Sequence, residues 1–237
     1  MNRTVDVCLS PDLIGSFDLN GKIVVIVDIL RATSCMVSGI DNGVAGIIPV
    51  ATLDECRDYQ KKGFICAAER GGKQVEGFEL DNSPFSYMAE DLKGKTICAT
   101  TTNGTLAISK SLDADKIVIG AFLNLSALAS YLQDQPNDII IHCAGWKGKV
   151  NMEDSLFAGA LIEKLEDSHS LNCDAPHMAL KYYQSVKDNL QLTVENSSHA
   201  KRLSKIGIKK DIEFCLTIDK FEVVPILEGS VLVKMKN

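Results

Sequence analysis

Short runs of β-branched and aliphatic residues without polar alternation recur along the chain, and nothing in the sequence constrains the fold more. Lys22 to Val27, Gly46 to Val50, Phe64 to Ala67, Lys95 to Ala99, Lys116 to Ile119 and Asp138 to His142 are such runs, each followed by a helix-compatible stretch. A strand with one face in water alternates apolar and polar side chains, whereas a strand covered on both faces does not. The runs therefore predict an α/β fold, a three-layer α/β/α arrangement around a largely parallel or mixed central sheet. Thr52 to Gln60 opens on a threonine cap with acids in its first turn, Asn103 to Leu112 follows a threonine cluster, and Leu125, Leu128 and Leu132 fall at helical intervals within Asn124 to Leu132.

From Met152 the pattern changes. Leu156, Phe157, Ala160, Leu161 and Leu165 make one helical stripe, and helix-prone segments continue through Cys215. A C-terminal helical layer or cap over about 155–220 is expected. Glu222 to Ile226 and Ser230 to Val233 then read as a late strand pair on a sheet edge, with Gly229 at a turn or bulge. With no internal repeat, low-complexity tract or long linker, residues 1–237 are expected to form a single domain.

Charge and cysteine usage exclude several functions. The 25 lysines and arginines against 31 aspartates and glutamates leave a formal charge of −6, and no long basic block occurs, so neither a nucleic acid nor an anionic membrane surface is an expected partner. No uninterrupted apolar run is longer than Ile23 to Val27, far short of the ~20 residues of a membrane-spanning helix. The first ten residues turn polar before a signal-peptide core forms, and a cytoplasmic location is the expectation. Eight cysteines stand singly without a CxxC pair and read as buried thiols in a reducing compartment, not as a disulfide frame or a zinc site.

Four loops carry chemistry. In VVIVDILRATS an apolar strand ends in Asp28, followed by Arg31, Thr33 and Ser34. Loops beyond the carboxyl ends of sheet strands are where ligands bind in open α/β folds. Asp28 suits a hard cation or attack on a phosphoryl group, Arg31 suits bidentate contact with a dianion, and Thr33 and Ser34 offer donors at a helix start. The same residues also suit helix caps and a surface ion pair. Glu69 and Arg70 repeat the acid-plus-arginine theme, with Gly71 and Gly72 free to bring backbone N–H groups to an anion. Thr101, Thr102, Asn103, Gly104 and Thr105 sit at a helix entrance, an anion cradle without the glycine fingerprints of nucleotide loops. Lys147 lies in a glycine-flanked loop leading to Glu153 and Asp154, either of which could ligate a cation or cap the following helix. His199 and Arg202, in SSHAKRL, are candidate substrate contacts. Cys143 is followed by no CxxxxxR phosphate loop and reads as a buried thiol.

Taken in order, VVIVDILRATS, IIPV, AAERGG, GFELDNSP, GKTICATTTNGT, GAFLN, CAGWKG, MEDSLFAGALIEKL, SSHAKRL and DIEFC resemble the 2-phosphosulfolactate phosphatases, the ComB family of coenzyme M biosynthesis. The resemblance implies magnesium-dependent hydrolysis of (2R)-2-phospho-3-sulfolactate to 3-sulfolactate and phosphate on a three-layer α/β fold. Asp28, Arg31, Glu69 and Arg70 would be catalytic, and Asp28, Glu69, Glu153 and Asp154 the candidates for Mg2+. A small substrate with phosphate, sulfonate and carboxylate groups accounts for several anion cradles in one chain; a homo-oligomer is allowed. Asp28 could form an aspartyl-phosphate or ligate the cation while water attacks, the second being favoured because Leu30 stands where a dehalogenase-like DxD motif needs its second acid. The competing reading is a non-catalytic regulatory protein that binds a phosphorylated metabolite.

Overall fold

The computed structural model describes residues 3–235. Eleven strands, β1 (Thr4–Cys8), β2 (Ile23–Val27), β3 (Gly46–Pro49), β4 (Ile65–Arg70), β5 (Lys73–Gln74), β6 (Thr96–Thr100), β7 (Lys116–Gly120), β8 (Ile139–Cys143), β9 (Ser170–Leu171), β10 (Pro225–Glu228) and β11 (Val231–Lys234), form one sheet ordered β5-β4-β6-β3-β11-β10-β7-β2-β8-β1-β9. The helices are α1 (Ala32–Asp41), α2 (Leu53–Lys61), α3 (Pro84–Tyr87), α4 (Gly104–Ser109), α5 (Leu125–Gln133), α6 (Met152–Leu165), α7 (Asp174–Val186), α8 (Leu190–Glu195), α9 (Ser198–Ser204) and α10 (Lys209–Cys215). The protein is thus mixed α/β, a central sheet flanked by helices.

Two parallel blocks make up the sheet. β7, β2, β8, β1 and β9 pair in parallel on one side, and β4, β6 and β3 on the other. Between them lies the C-terminal hairpin: β11 is antiparallel to β3, β10 to β11, and β10 to β7. The expected edge position of these last strands is therefore wrong. Their half-apolar pattern resembles an edge, but Leu232 is fully buried in register with Ile47, and Ile226 pairs with Val118. The hairpin is the seam that converts two parallel sheets into one mixed sheet.

β2 shows why unalternating runs become central strands. All five of its residues are fully buried, flanked in exact register by β7 and β8. α2 begins as its sequence implies: the Thr52 hydroxyl accepts the Glu55 N–H at 3.2 Å while the Glu55 carboxylate accepts the Thr52 N–H at 2.9 Å, a reciprocal cap. The Leu156 to Leu165 stripe of α6 is buried in the main core, and the tract through α10 is helical as expected. Among the described residues no helix is long and apolar enough to cross a membrane. Seven cysteines are buried as expected; Cys173 is exposed at the start of α7.

Candidate active site

The carboxyl ends of β2, β4, β6 and β8 and the loop and helix that follow α8 meet around one cleft. Asp28 is the residue after β2 and is almost fully buried. Its backbone N–H donates to the Thr33 hydroxyl at 3.1 Å and its Oδ1 faces the Ala32 N–H at 3.4 Å, which leaves most of the carboxylate turned to the cleft. Burial pushes its pKa up to about 6, His199 pulls it back, and the nearby Glu69 pushes it further up. Glu69, at the end of β4, accepts the Gly72 N–H on Oε1 and the Thr102 N–H on Oε2 at 3.3 Å, and so ties the β4 and β6 loops together. Gly72 has φ +85°, a conformation open to glycine, and it is this turn that presents the N–H.

Behind Asp28 lie two further acids from the first turn of α6. Asp154 is 1% exposed and accepts the Ile29 N–H at 2.9 Å and the Gly145 N–H at 3.0 Å, one on each oxygen. It fastens the β2 and β8 loops, and burial beside Glu153 and Asp28 holds its pKa well above the usual carboxylate range. Glu153 is fully buried: Oε1 meets His199 Nδ1 at 2.6 Å, whereas Oε2 has no hydrogen-bond partner. An orphaned buried carboxylate oxygen carries a large desolvation cost unless a cation or donor faces it. Asp28 and Glu153 thus keep carboxylate oxygens open to a further partner, whereas both oxygens of Glu69, like both of Asp154, already accept backbone N–H groups.

The cationic side of the cleft is equally specific. Arg31 is 3% exposed, forms an ion pair with Asp211 of α10, and donates to the Gly72 carbonyl at 3.0 Å. Arg202 of α9 lies flat against the Trp146 ring at 3.9 Å, and its Nη2 has no partner. Asn82, whose Oδ1 is likewise unpartnered, completes the rim with Thr102 and Asn103.

Of the residues picked from sequence, Asp28, Arg31, Glu69, Gly71, Gly72, Thr102, Asn103, His199 and Arg202 line this cleft. Others do not, for local reasons. Arg70 follows Glu69 directly on a strand and so points to the opposite face, where it bonds the Thr100 hydroxyl at 3.1 Å. The Thr33 hydroxyl is taken by Asp28 N–H, and the Ser34 hydroxyl donates to the Ile29 carbonyl at 2.9 Å, so both shape the loop from within. Thr101 and Thr105 bond each other across the α4 start at 3.1 and 3.2 Å. Gly104 serves close packing: a Cβ there would lie 2.5 Å from Ala32 Cβ and 2.9 Å from Asp28 Oδ2. Lys147 is exposed and stacks on the outer side of Trp146, 4.8 Å from the ring, leaving Trp146 itself to line the cleft. Asp211, Asn82 and Trp146 were not chosen from sequence as site residues. Each sits in one of the odd segments DIEFC, DNSP and CAGWKG, the signal that would have found them.

The sequence pattern of the family described as 2-phosphosulpholactate phosphatase matches residues 8–230. A protein of Thermotoga maritima named a probable 2-phosphosulfolactate phosphatase is 41% identical over 229 residues, covering 97% of both chains. One of Caldanaerobacter subterraneus subsp. tengcongensis with the same name is 40% identical over 220 residues and 91% of both chains. A third, of Clostridium beijerinckii, is 34% identical over 227 residues, 93% of this chain and 95% of its own.

Proposed function

The chain belongs to the 2-phosphosulfolactate phosphatase family, and on that premise we propose that it hydrolyses (2R)-2-phospho-3-sulfolactate, or a closely related small phosphate ester, with Mg2+ held by Asp28 and Glu153. The observation that carries this reading is the pairing of an orphaned buried carboxylate oxygen on Glu153, which lies behind the cleft against the lining residue His199, with an unpartnered guanidinium nitrogen on Arg202 in the cleft wall. The first wants a cation and the second an anion. A metal-assisted phosphate site supplies both.

When bound, the cation would neutralise phosphate charge and act as a Lewis acid. The chain's own groups do the rest. Arg31, fixed by Asp211 and Gly72, stabilises the charge of the transferring phosphoryl group, as a preorganised donor pays no reorganisation cost during the reaction. Arg202, held flat by Trp146, meets the second anionic group of the substrate. Gly71, Gly72, Thr102 and Asn103 fix its orientation. His199, its Nδ1 held against Glu153, is the imidazole placed to take a proton from the attacking water on Nε2. Asp28 serves as a ligand and not as a nucleophile, so no acyl-phosphate should be trapped on it. An enzyme of this kind fits a role in coenzyme M synthesis and a cytoplasmic location.

Phosphate release from a panel of small monoesters, including 2-phosphosulfolactate and phospholactate, with Mg2+ and then with excess chelator, tests the proposal. Chelator-sensitive release fastest on the sulfonate is the expected result. Tight binding of these esters without release would overturn it in favour of a binding protein, and chelator-insensitive release would overturn the metal assignment.

A further inference from the structure

Away from the cleft, on the face of β4 and β6 that α2 covers, three thiols converge. Cys66 and Cys98 are register partners on adjacent parallel strands, and Cys56 comes down on them from α2. Their sulfur atoms all lie within 4.8 Å of one another, and all three residues are completely buried. They form a small core of their own with Ile48, Ala68 and Phe78, separate from the main one. Cys56 is moreover the only fully buried side chain of α2. An ordinary surface helix is seated by a stripe of large apolar residues. Here the half-buried Leu53 and Tyr59 flank a contact whose centre is a sulfur.

We propose that Cys56, Cys66 and Cys98 form a binding site for one soft monovalent cation of the Cu(I) type, held by sulfur alone and pinning α2 to the sheet. Thiolates select soft ions, whereas Mg2+ takes the hard oxygens of the cleft, so the two sites do not compete. Zinc almost always completes four ligands, and among the described residues no histidine nitrogen or carboxylate oxygen joins these three sulfurs within the same span. The sulfur spacing suits a single ion. Each thiol that ionises on binding gives its proton to solvent, and no redox change is involved. The site also has a mechanical consequence, because β4 carries Glu69 three residues beyond Cys66, and Thr102 stands four beyond Cys98. An ion here would brace the two strands that deliver those groups to the cleft.

Titration of the reduced full-length protein, without oxygen, against Cu(I) held by a coloured bicinchoninate chelator tests the site. One equivalent should leave the chelator and Tm should rise by several degrees. Cys56→Ala and Cys98→Ser should each weaken binding by about 100-fold or more, while Cys173→Ser, at the exposed thiol, leaves it unchanged. Copper X-ray absorption on the loaded wild-type protein, which needs no variant to fold, should show sulfur neighbours only. Nitrogen or oxygen neighbours, binding that depends on Cys173, or Zn2+ bound as tightly as Cu(I) would each overturn the proposal. Because the readout is metal binding and not turnover, its failure would leave the phosphatase reading standing.

Discussion

β2 and its neighbours are buried on both faces in one continuous core of valine, isoleucine, leucine and phenylalanine, whereas β4, β6 and β3 share that core on one face and rest on only a small patch on the other. Half of the six buried side chains in that patch are thiols. Both regions end in a carboxylate at the cleft, Asp28 from the first and Glu69 from the second. They are mounted differently. Asp28 sits on the most deeply buried strand, in a loop fastened by Asp154, while Glu69 is itself the clip between two loops standing on the thinner support. Ground for specificity and ground for rigidity are thus divided between the halves of one sheet, with Arg31 reaching across to Gly72 as the tie between them.

The comparison can be broken most sharply at Asp28. Asp28→Asn should cut turnover by about a thousandfold with the fold intact, as befits loss of charge at a metal-assisted site; steady-state phosphate release beside circular dichroism measures it. An unchanged rate would place the chemistry on the Glu69 side. The next largest effect concerns the supports. Leu161→Ala, in the main core, should cost about 4 kcal/mol in urea unfolding with kcat unaltered, and Ile48→Ala, in the thiol patch, about 2 kcal/mol. Equal costs would mean that the patch is as well packed as the main core.

One pH effect lies in the large core. His142 on β8 is fully buried, bonded to the Ser111 hydroxyl at 2.9 Å, and burial lowers its pKa to about 4. Above pH ~6.5 it is neutral in both the folded and unfolded chain. As pH falls from there toward 4, the unfolded chain binds a proton that the folded chain refuses, so stability drops, by about 3 kcal/mol in all. His142→Gln should flatten that part of the stability profile. Smallest is Trp146→Ala, which frees Arg202 from its stack and should raise KM by about tenfold while sparing kcat. A fall in kcat instead would give Arg202 a part in the chemical step.

The sequence carried the strands well because burial on both faces leaves a local mark. The six internal runs became β2, β3, β4, β6, β7 and β8 within a residue or a few at each end. The short edge strands β5 and β9, two residues each, left no mark. β1 leaves only a faint mark, because its few alternating residues, with Val5 and Val7 buried, run straight into the polar Ser10 to Asp12. At the site, Asp28, Glu69, His199 and Arg202 were legible as charged or polar residues beside glycines and strand ends. Arg70, Thr33, Ser34, Thr101 and Thr105 share that signature, and only strand alternation and local hydrogen bonding withdraw them from the cleft.

Periodicity and composition alone determined the class of fold, the buried strands and the loops in which chemistry would lie, since each is written within a few neighbouring residues. Which acid keeps an oxygen unpartnered, which arginine is left free, where the last hairpin inserts and that Cys56, Cys66 and Cys98 touch were decided by tertiary structure. Those outcomes depend on contacts between residues far apart in the chain, such as Arg31 with Asp211 and Glu153 with His199, and no local pattern encodes a partner 46 or 180 positions away.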